Sequence, residues 1–244
     1  MRYLVLSDIH GNLAALDAVL ASAPPDLPIW CLGDVVGYGP SPNECIDRLR
    51  GLDHLCIVGN HDWAVKNGVD AREFNPDAQF SVQWTQQYLT EDNLAYLKSL
   101  PSKELRGQFT LVHGSPREPI WEYILYPPVA RLNLAHLDSP HCFVGHTHVP
   151  VVFRFRAEAD EGECQVEHLL EGGPRSLGEG RLIINPGSVG QPRDGDARAS
   201  YLILDADDLT YEYHRVPYDV VKTQRLMEKA KLPQRNIMRL SYGW

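Results

Sequence analysis

The 244-residue sequence predicts an α/β fold. Apolar, strand-like runs alternate with helical segments joined by short loops, the pattern of right-handed βαβ units. Five of these runs also end in the same kinds of residue: Asp8-Ile9-His10, Gly33-Asp34, Gly59-Asn60-His61-Asp62, His113-Gly114 and Gly145-His146-Thr147-His148. In open α/β sheets a site forms outside the carboxyl ends of the strands, so shared placement at strand ends points to one site.

The elements follow in order. Residues 3–7 form a continuous apolar run, as expected for a strand buried on both faces. A helix is expected over 13–21, with Leu13, Leu16, Val19 and Leu20 on one face and Pro24-Pro25 ending it. Residues 28–32 form the second strand. Ser41 as N-cap and Pro42 at the first position open a helix to about residue 50. Residues 54–58 form the third strand. From about 64 to 101 no strand signal occurs, and helices over 77–88 and 90–100 make this a helical insertion on the side of the five segments. Strands at 109–112 and 141–144 flank a helix over 129–137. After Pro150, short runs at 151–155, 165–170, 182–184, 200–204 and 210–214 read as antiparallel strands of a second sheet, followed by a surface helix over 219–231. Nothing divides the chain into two cores, so residues 1–244 are expected to form one domain.

A net charge of −9 argues against stable nucleic-acid binding, whereas a small phosphorylated substrate is compatible with it if bound cations reverse the local field. The five cysteines show no C-x-x-C pair and no disulfide pattern, which suits a reducing compartment. No apolar run approaches membrane-spanning length. The first strand leads directly to Asp8, whereas a signal peptide would need a longer apolar segment and a cleavage site before the fold, so none is expected. A cytoplasmic protein, free to form a homo-oligomer, is expected.

Asp8, His10, Asp34, Asn60, His113, His146 and His148 offer carboxylate, amide and imidazole donors without thiolates, which favours manganese, iron, zinc or similar ions over a structural zinc site. Two ions roughly 3.5–4 Å apart can hold a hydroxide and clamp the oxygens of an in-line displacement. His61, beside Asn60, suits proton donation to a leaving oxygen. Taken singly, Asp34 or Asn60 would be read as a turn former or helix cap, and Asp62 as a helix-start residue. Asn12 caps the first helix or faces an anion there.

D-x-H, G-D, G-N-H-D, H-G and G-H-T-H in this order resemble the calcineurin-like metallophosphoesterase superfamily, most nearly its small prokaryotic YfcE-type phosphodiesterase group. Asn185-Pro186-Gly187-Ser188 resembles a later motif of the same enzymes. The resemblance implies a four-layer sandwich of two mixed β-sheets flanked by helices. It implies one metal on Asp8, His10, Asp34 and His148, a second on Asp34, Asn60, His113 and His146, and His61 as catalytic acid or phosphate binder. It also implies two divalent ions, manganese first, with iron, zinc, nickel or cobalt as alternatives. Protein Ser/Thr phosphatases and diadenosine tetraphosphatases of this superfamily carry G-D-x-V-D-R-G. Here Gly37 stands in place of the histidine-orienting Asp and Tyr38 in place of the phosphate-binding Arg. Arg193 and Asn12 are the remaining candidates for substrate contact. The expected function is hydrolysis of a small phosphate ester, such as a nucleotide, by metal-bound hydroxide. A protein or nucleotide phosphatase and a metal-dependent scaffold are the rivals.

Overall fold

The computed structural model describes residues 1–68, 74–155 and 163–244; residues 69–73 of the expected insertion therefore lie outside the described residues. Strand β1 (Arg2–Leu6) leads to helix α1 (Leu13–Ser22), β2 (Ile29–Cys31), α2 (Pro42–Arg50) and β3 (His54–Cys56). Three helices follow: α3 (Asn60–Asn67), α4 (Pro76–Tyr88) and α5 (Glu91–Ser99). The chain returns through β4 (Lys103–Arg106), β5 (Phe109–Val112), α6 (Pro127–Leu132) and β6 (His141–Phe143). It ends with β7 (Val151–Phe155), β8 (Cys164–Glu167), β9 (Arg175–Ser176), β10 (Arg181–Asn185), β11 (Ala199–Asp205), β12 (Thr210–Val216), α7 (Val220–Lys229) and α8 (Gln234–Arg239).

Among the described residues the strands form two mixed sheets, β3-β2-β1-β11-β12-β9 and β4-β5-β6-β10-β7-β8. Strands β1, β2 and β3 are parallel, as the βαβ pattern requires, and β6 pairs in parallel with both β5 and β10. The strands after Pro150 do not form a sheet of their own, contrary to the sequence expectation. Strands β11 and β12 join the first sheet beside β1, while β7, β8 and β10 extend the second beyond β6. Partner choice is a long-range property that local alternation does not carry.

Side-chain alternation produces the layers. Val5, Trp30, Leu202 and Leu204 point between the sheets, where they meet Leu111, Phe143, Leu182 and Ile184. Leu4, Leu6, Tyr201 and Ile203 point the other way and pack on Leu16, Val19, Ile46 and Leu49 of α1 and α2. On the outer face of the second sheet, Val112, Cys142, Phe153 and Ile183 cluster with Ala130 of α6. The result is the expected four-layer sandwich. Among the described residues no helix is long and apolar enough to cross a membrane.

Three local corrections concern helix ends and edges. The helix expected over 129–137 begins earlier and splits. Pro127 and Pro128 fit its first turn, and Asn133 bonds back to the Val129 carbonyl (3.1 Å), leaving only a 3-10 turn over Leu134–His136. Helix α3 opens at Asn60 itself, because the Asp62 carboxylate accepts the Gly59 amide (3.1 Å). Edge strand β4 and helix α8 were not legible: β4 is largely solvated and α8 is only six residues long.

Gly59 shows why this loop is written as it is. A Cβ there would lie 2.1 Å from Asp34 Oδ1 and 2.3 Å from the Asp34 nitrogen. Gly59→Ala is expected to cost about 1–3 kcal/mol of stability by overpacking and to weaken metal retention by displacing Asp34. Urea unfolding and ion content measure both; a variant equal to the parent in each would contradict this packing.

Candidate metal centre

All seven ligand candidates and His61 are buried and gather at one edge of the sandwich, at the carboxyl ends of β1, β2, β3, β5 and β6. Backbone bonds lock the loops together: the Asp8 amide donates to the Gly33 carbonyl (3.1 Å), His10 to Asp34 (2.9 Å) and Gly145 to His113 (2.8 Å). Asp8, His10, Asp34, His146 and His148 all sit at positive φ, between +49° and +67°. Left-handed backbone costs roughly 1–2 kcal/mol per residue, so the fold holds these residues against local preference.

Two groups share Asp34. In the first, His148 Nε2 lies 3.3 Å from Asp8 Oδ1 and 3.1 Å from His10 Nε2, which is 3.5 Å from Asp34 Oδ2. In the second, His113 Nε2 lies 3.4 Å from the same Asp34 Oδ2 and 3.1 Å from Asn60 Oδ1. Ligand atoms of Asp34, His113 and His146 lie within 4.8 Å of one another. The structure thus brings together every ligand candidate named from the sequence.

The imidazole tautomers test whether this set suits cations. A carbonyl can only accept, so a ring nitrogen bonded to one must donate. His10 Nδ1 faces the Val36 carbonyl (3.1 Å), His148 Nδ1 the Gln191 carbonyl (2.6 Å) and His113 Nδ1 the Leu32 carbonyl (2.8 Å). A neutral His10 and a neutral His148 therefore turn Nε2 lone pairs toward each other and toward Asp8. His146 is reversed: its Nε2 donates to the Trp121 carbonyl (3.1 Å), leaving Nδ1 with the lone pair that a cation could take. Asp8 Oδ1 and Asp34 Oδ2 are buried without a hydrogen-bond partner. Converging lone pairs and orphaned carboxylate oxygens repel one another unless a cation lies between them, so the residues fit divalent ions.

The titration behaviour agrees for His10, His146 and His148, whereas His113, drawn toward its protonated form by Asp34, must give up a proton to bind an ion. Burial holds His10, His146 and His148 below their ordinary range, hence neutral at pH 7 and able to offer a lone pair to a cation. Burial opposes charge on His113 as well, but the Asp34 carboxylate overrides it and raises the imidazole to about 9. Burial likewise works against the charged carboxylates, yet the imidazoles hold both low: His148 acts on Asp8, and His113 on Asp34. Burial pushes His61 down to about 4, with Asp34 opposing.

His61 stands at the start of α3, its amide donating to Asp34 Oδ1 (2.8 Å). Its ring packs on Tyr38 (4.4 Å between centroids) and Phe74 (4.9 Å). Gly37, at φ +92°, lies against the ring: a Cβ there would be 2.5 Å from His61 Nδ1, which is buried without a partner. No orienting carboxylate fits there, so packing alone sets the ring. Asp62 accepts the Val35 (3.3 Å), Val36 (3.1 Å) and Gly59 amides and so braces the Asp34 loop; burial and the Asp34 charge push it up to about 7.

Asn12 caps α1 through the Ala15 amide (3.3 Å). Its Nδ2 donates to the Gly190 carbonyl (2.9 Å), and Thr223 donates to its Oδ1 (3.0 Å), so its polar atoms are engaged within the protein. Arg193 reaches the site, with its guanidinium carbon 5.7 Å from the centre of the Tyr38 ring. The 185–188 segment, which resembles a motif of the same family, is tied into the site. Asn185 donates to the Gly145 carbonyl (2.6 Å) and Thr147 Oγ1 (2.9 Å), and Ser188 Oγ donates to the Asp8 carbonyl (2.8 Å). Sequence reasoning missed Tyr123, stacked 3.7 Å over His146, and the orienting carbonyls of Leu32, Val36, Trp121 and Gln191. Any residue type can supply a carbonyl, so those carry no sequence signal.

A family model, the calcineurin-like phosphoesterase superfamily domain, matches residues 1–209. The fold is similar to the crystal structure of a metallophosphoesterase from Sphaerobacter thermophilus, with a TM-score of 0.90 and 47% identity over 100% of both chains. An uncharacterised protein of Methanocaldococcus jannaschii is 40% identical over 238 residues, 94% of this chain and 93% of its own. Phosphodiesterase YfcE of Escherichia coli is 27% identical over 223 residues, 86% of this chain and 90% of its own.

Proposed function

Because the chain belongs to the calcineurin-like phosphoesterase superfamily, we propose that it is a phosphodiesterase for small phosphate esters, working with two divalent cations, manganese first among them. The carrying observation is Asp34 Oδ2, an unpaired buried oxygen 3.5 Å from His10 Nε2 and 3.4 Å from His113 Nε2. Asp8, His10, Asp34 and His148 would hold one ion, and Asp34, Asn60, His113 and His146 the other. When bound, such ions supply Lewis acidity toward the phosphoryl oxygens and an activated water.

The chain's own residues do the remaining work. Asp34 fixes the separation of the two groups, and the carbonyls behind the imidazoles fix their tautomers. His61 would meet the leaving oxygen and donate a hydrogen bond or proton to it as negative charge develops there. Substrate charge opposes the effect of burial on that imidazole. Arg193 would supply the cation that the G-D-x-V-D-R-G enzymes place at the position of Tyr38. With Gly37 and Tyr38 in those places, a protein phosphatase is the weaker reading.

The test is a panel of phosphate diesters, phosphate monoesters and phosphopeptides, offered to stripped protein restored separately with manganese, nickel, cobalt and zinc. Diester hydrolysis that depends on added metal is expected. Faster turnover of phosphopeptides, or no turnover with any ion, would overturn the reading.

A further inference from the structure

Two guanidinium groups converge beside the candidate metal centre and, among the described residues, no carboxylate pairs with either. Arg193 lies on the loop between β10 and β11, over Tyr38, whose ring packs on both His10 (4.7 Å) and His61 (4.4 Å). Arg239 comes from the end of α8, beyond the residues matched by the family model. Both donate to one neutral oxygen, Gln191 Oε1, Arg193 Nη2 at 2.7 Å and Arg239 Nη1 at 3.2 Å. Gln191 is buried and its backbone carbonyl holds His148, so the pair is anchored to the centre itself.

Neither arginine is satisfied there. The Nε–H of each is buried without an acceptor, and among the described residues no carboxylate lies within ion-pair distance of either. Burial and the charge of Arg193 both lower the pKa of Arg239. Two like charges sharing one neutral acceptor repel, and a buried donor left unmade is costly. The arrangement is nonetheless rigid. Trp84, Met227, Leu232, Ile237 and Leu240 pack into one apolar cluster beneath α8. Asn236 donates to Ser81 (3.2 Å), and the Gly195 amide donates to the Gly243 carbonyl (2.8 Å).

We propose that Arg193 and Arg239 form a subsite for a second phosphoryl group, so that the preferred substrates carry a pyrophosphate or polyphosphate. This rests on the phosphoesterase reading above and narrows its substrate class. The metal centre would take the phosphoryl group being hydrolysed. The two forks beside it match the charge and the several oxygens of a neighbouring phosphate, which a simple diester lacks.

Calorimetric titration of manganese-loaded protein with inorganic pyrophosphate, and separately with orthophosphate, tests the subsite without turnover. Arg239→Gln is expected to weaken pyrophosphate binding about tenfold or more and to leave orthophosphate within about twofold. Arg239→Lys, which keeps the charge but loses the fork, should fall between. In turnover, Arg239→Gln should raise KM for a dinucleoside polyphosphate with kcat held, and leave bis-p-nitrophenyl phosphate unaffected. Equal weakening of both anions, or of neither, would overturn the subsite in favour of a purely structural tether. If Arg239→Gln loses its native circular-dichroism spectrum, the lysine variant carries the same comparison. A protein that hydrolyses no ester yet binds pyrophosphate through Arg239 would contradict the phosphodiesterase reading and leave the subsite standing.

Discussion

Asp34→Asn should lower metal-dependent turnover by about 10³-fold or more, equivalent to about 4 kcal/mol of transition-state stabilisation. The substitution is nearly isosteric. Its Oδ1 can still accept the His61 amide, so the backbone contact at the start of α3 survives. What disappears is the charge on the oxygen shared by both ligand groups. That charge also raises His113 to about 9, so the variant's His113 should titrate lower. Metal content by atomic emission, kcat, and the circular-dichroism spectrum separate these effects. A folded variant with full ion content and undiminished turnover would show that Asp34 does not bridge.

His61→Gln should lower kcat by about 10²–10⁴-fold for esters with poor leaving groups while ion content stays at the parent level. A glutamine keeps an N–H donor but cannot transfer a proton. The loss should therefore shrink for p-nitrophenyl esters, whose leaving oxygen needs little protonation, and be greatest for alkyl esters. Gly37 leaves His61 Nδ1 without a partner, so ring orientation depends on packing against Tyr38 and Phe74. Steady-state kinetics across leaving groups checks the role. Equal losses for both ester types would assign His61 to phosphate binding, and unchanged kcat would remove it from the reaction.

The convergence of the candidate ligands was legible because each member follows an apolar run at a strand's carboxyl end, where local sequence and fold topology coincide. Gly37 and Tyr38 were legible as departures, since they fall inside a spaced motif. The partnering of β11 and β12 with β1 was not, because alternation sets which face is buried and not which strand lies alongside. The start of helix α3 was signalled by Asp62, read as a helix-start residue, but its extent to Asn67 was not, because the segment lacks a clear apolar periodicity. Arg239 was invisible for a different reason. It lies far along the chain from Arg193, and only the docking of α8 brings both to Gln191.

Anomalous diffraction from a manganese-soaked crystal tests the proposed bridging role of Asp34 most directly. Two peaks are expected, both in contact with the Asp34 carboxylate, one also touching Asp8, His10 and His148 and the other Asn60, His113 and His146. A single ion remote from Asp34, or no peak among these side chains, would contradict the account.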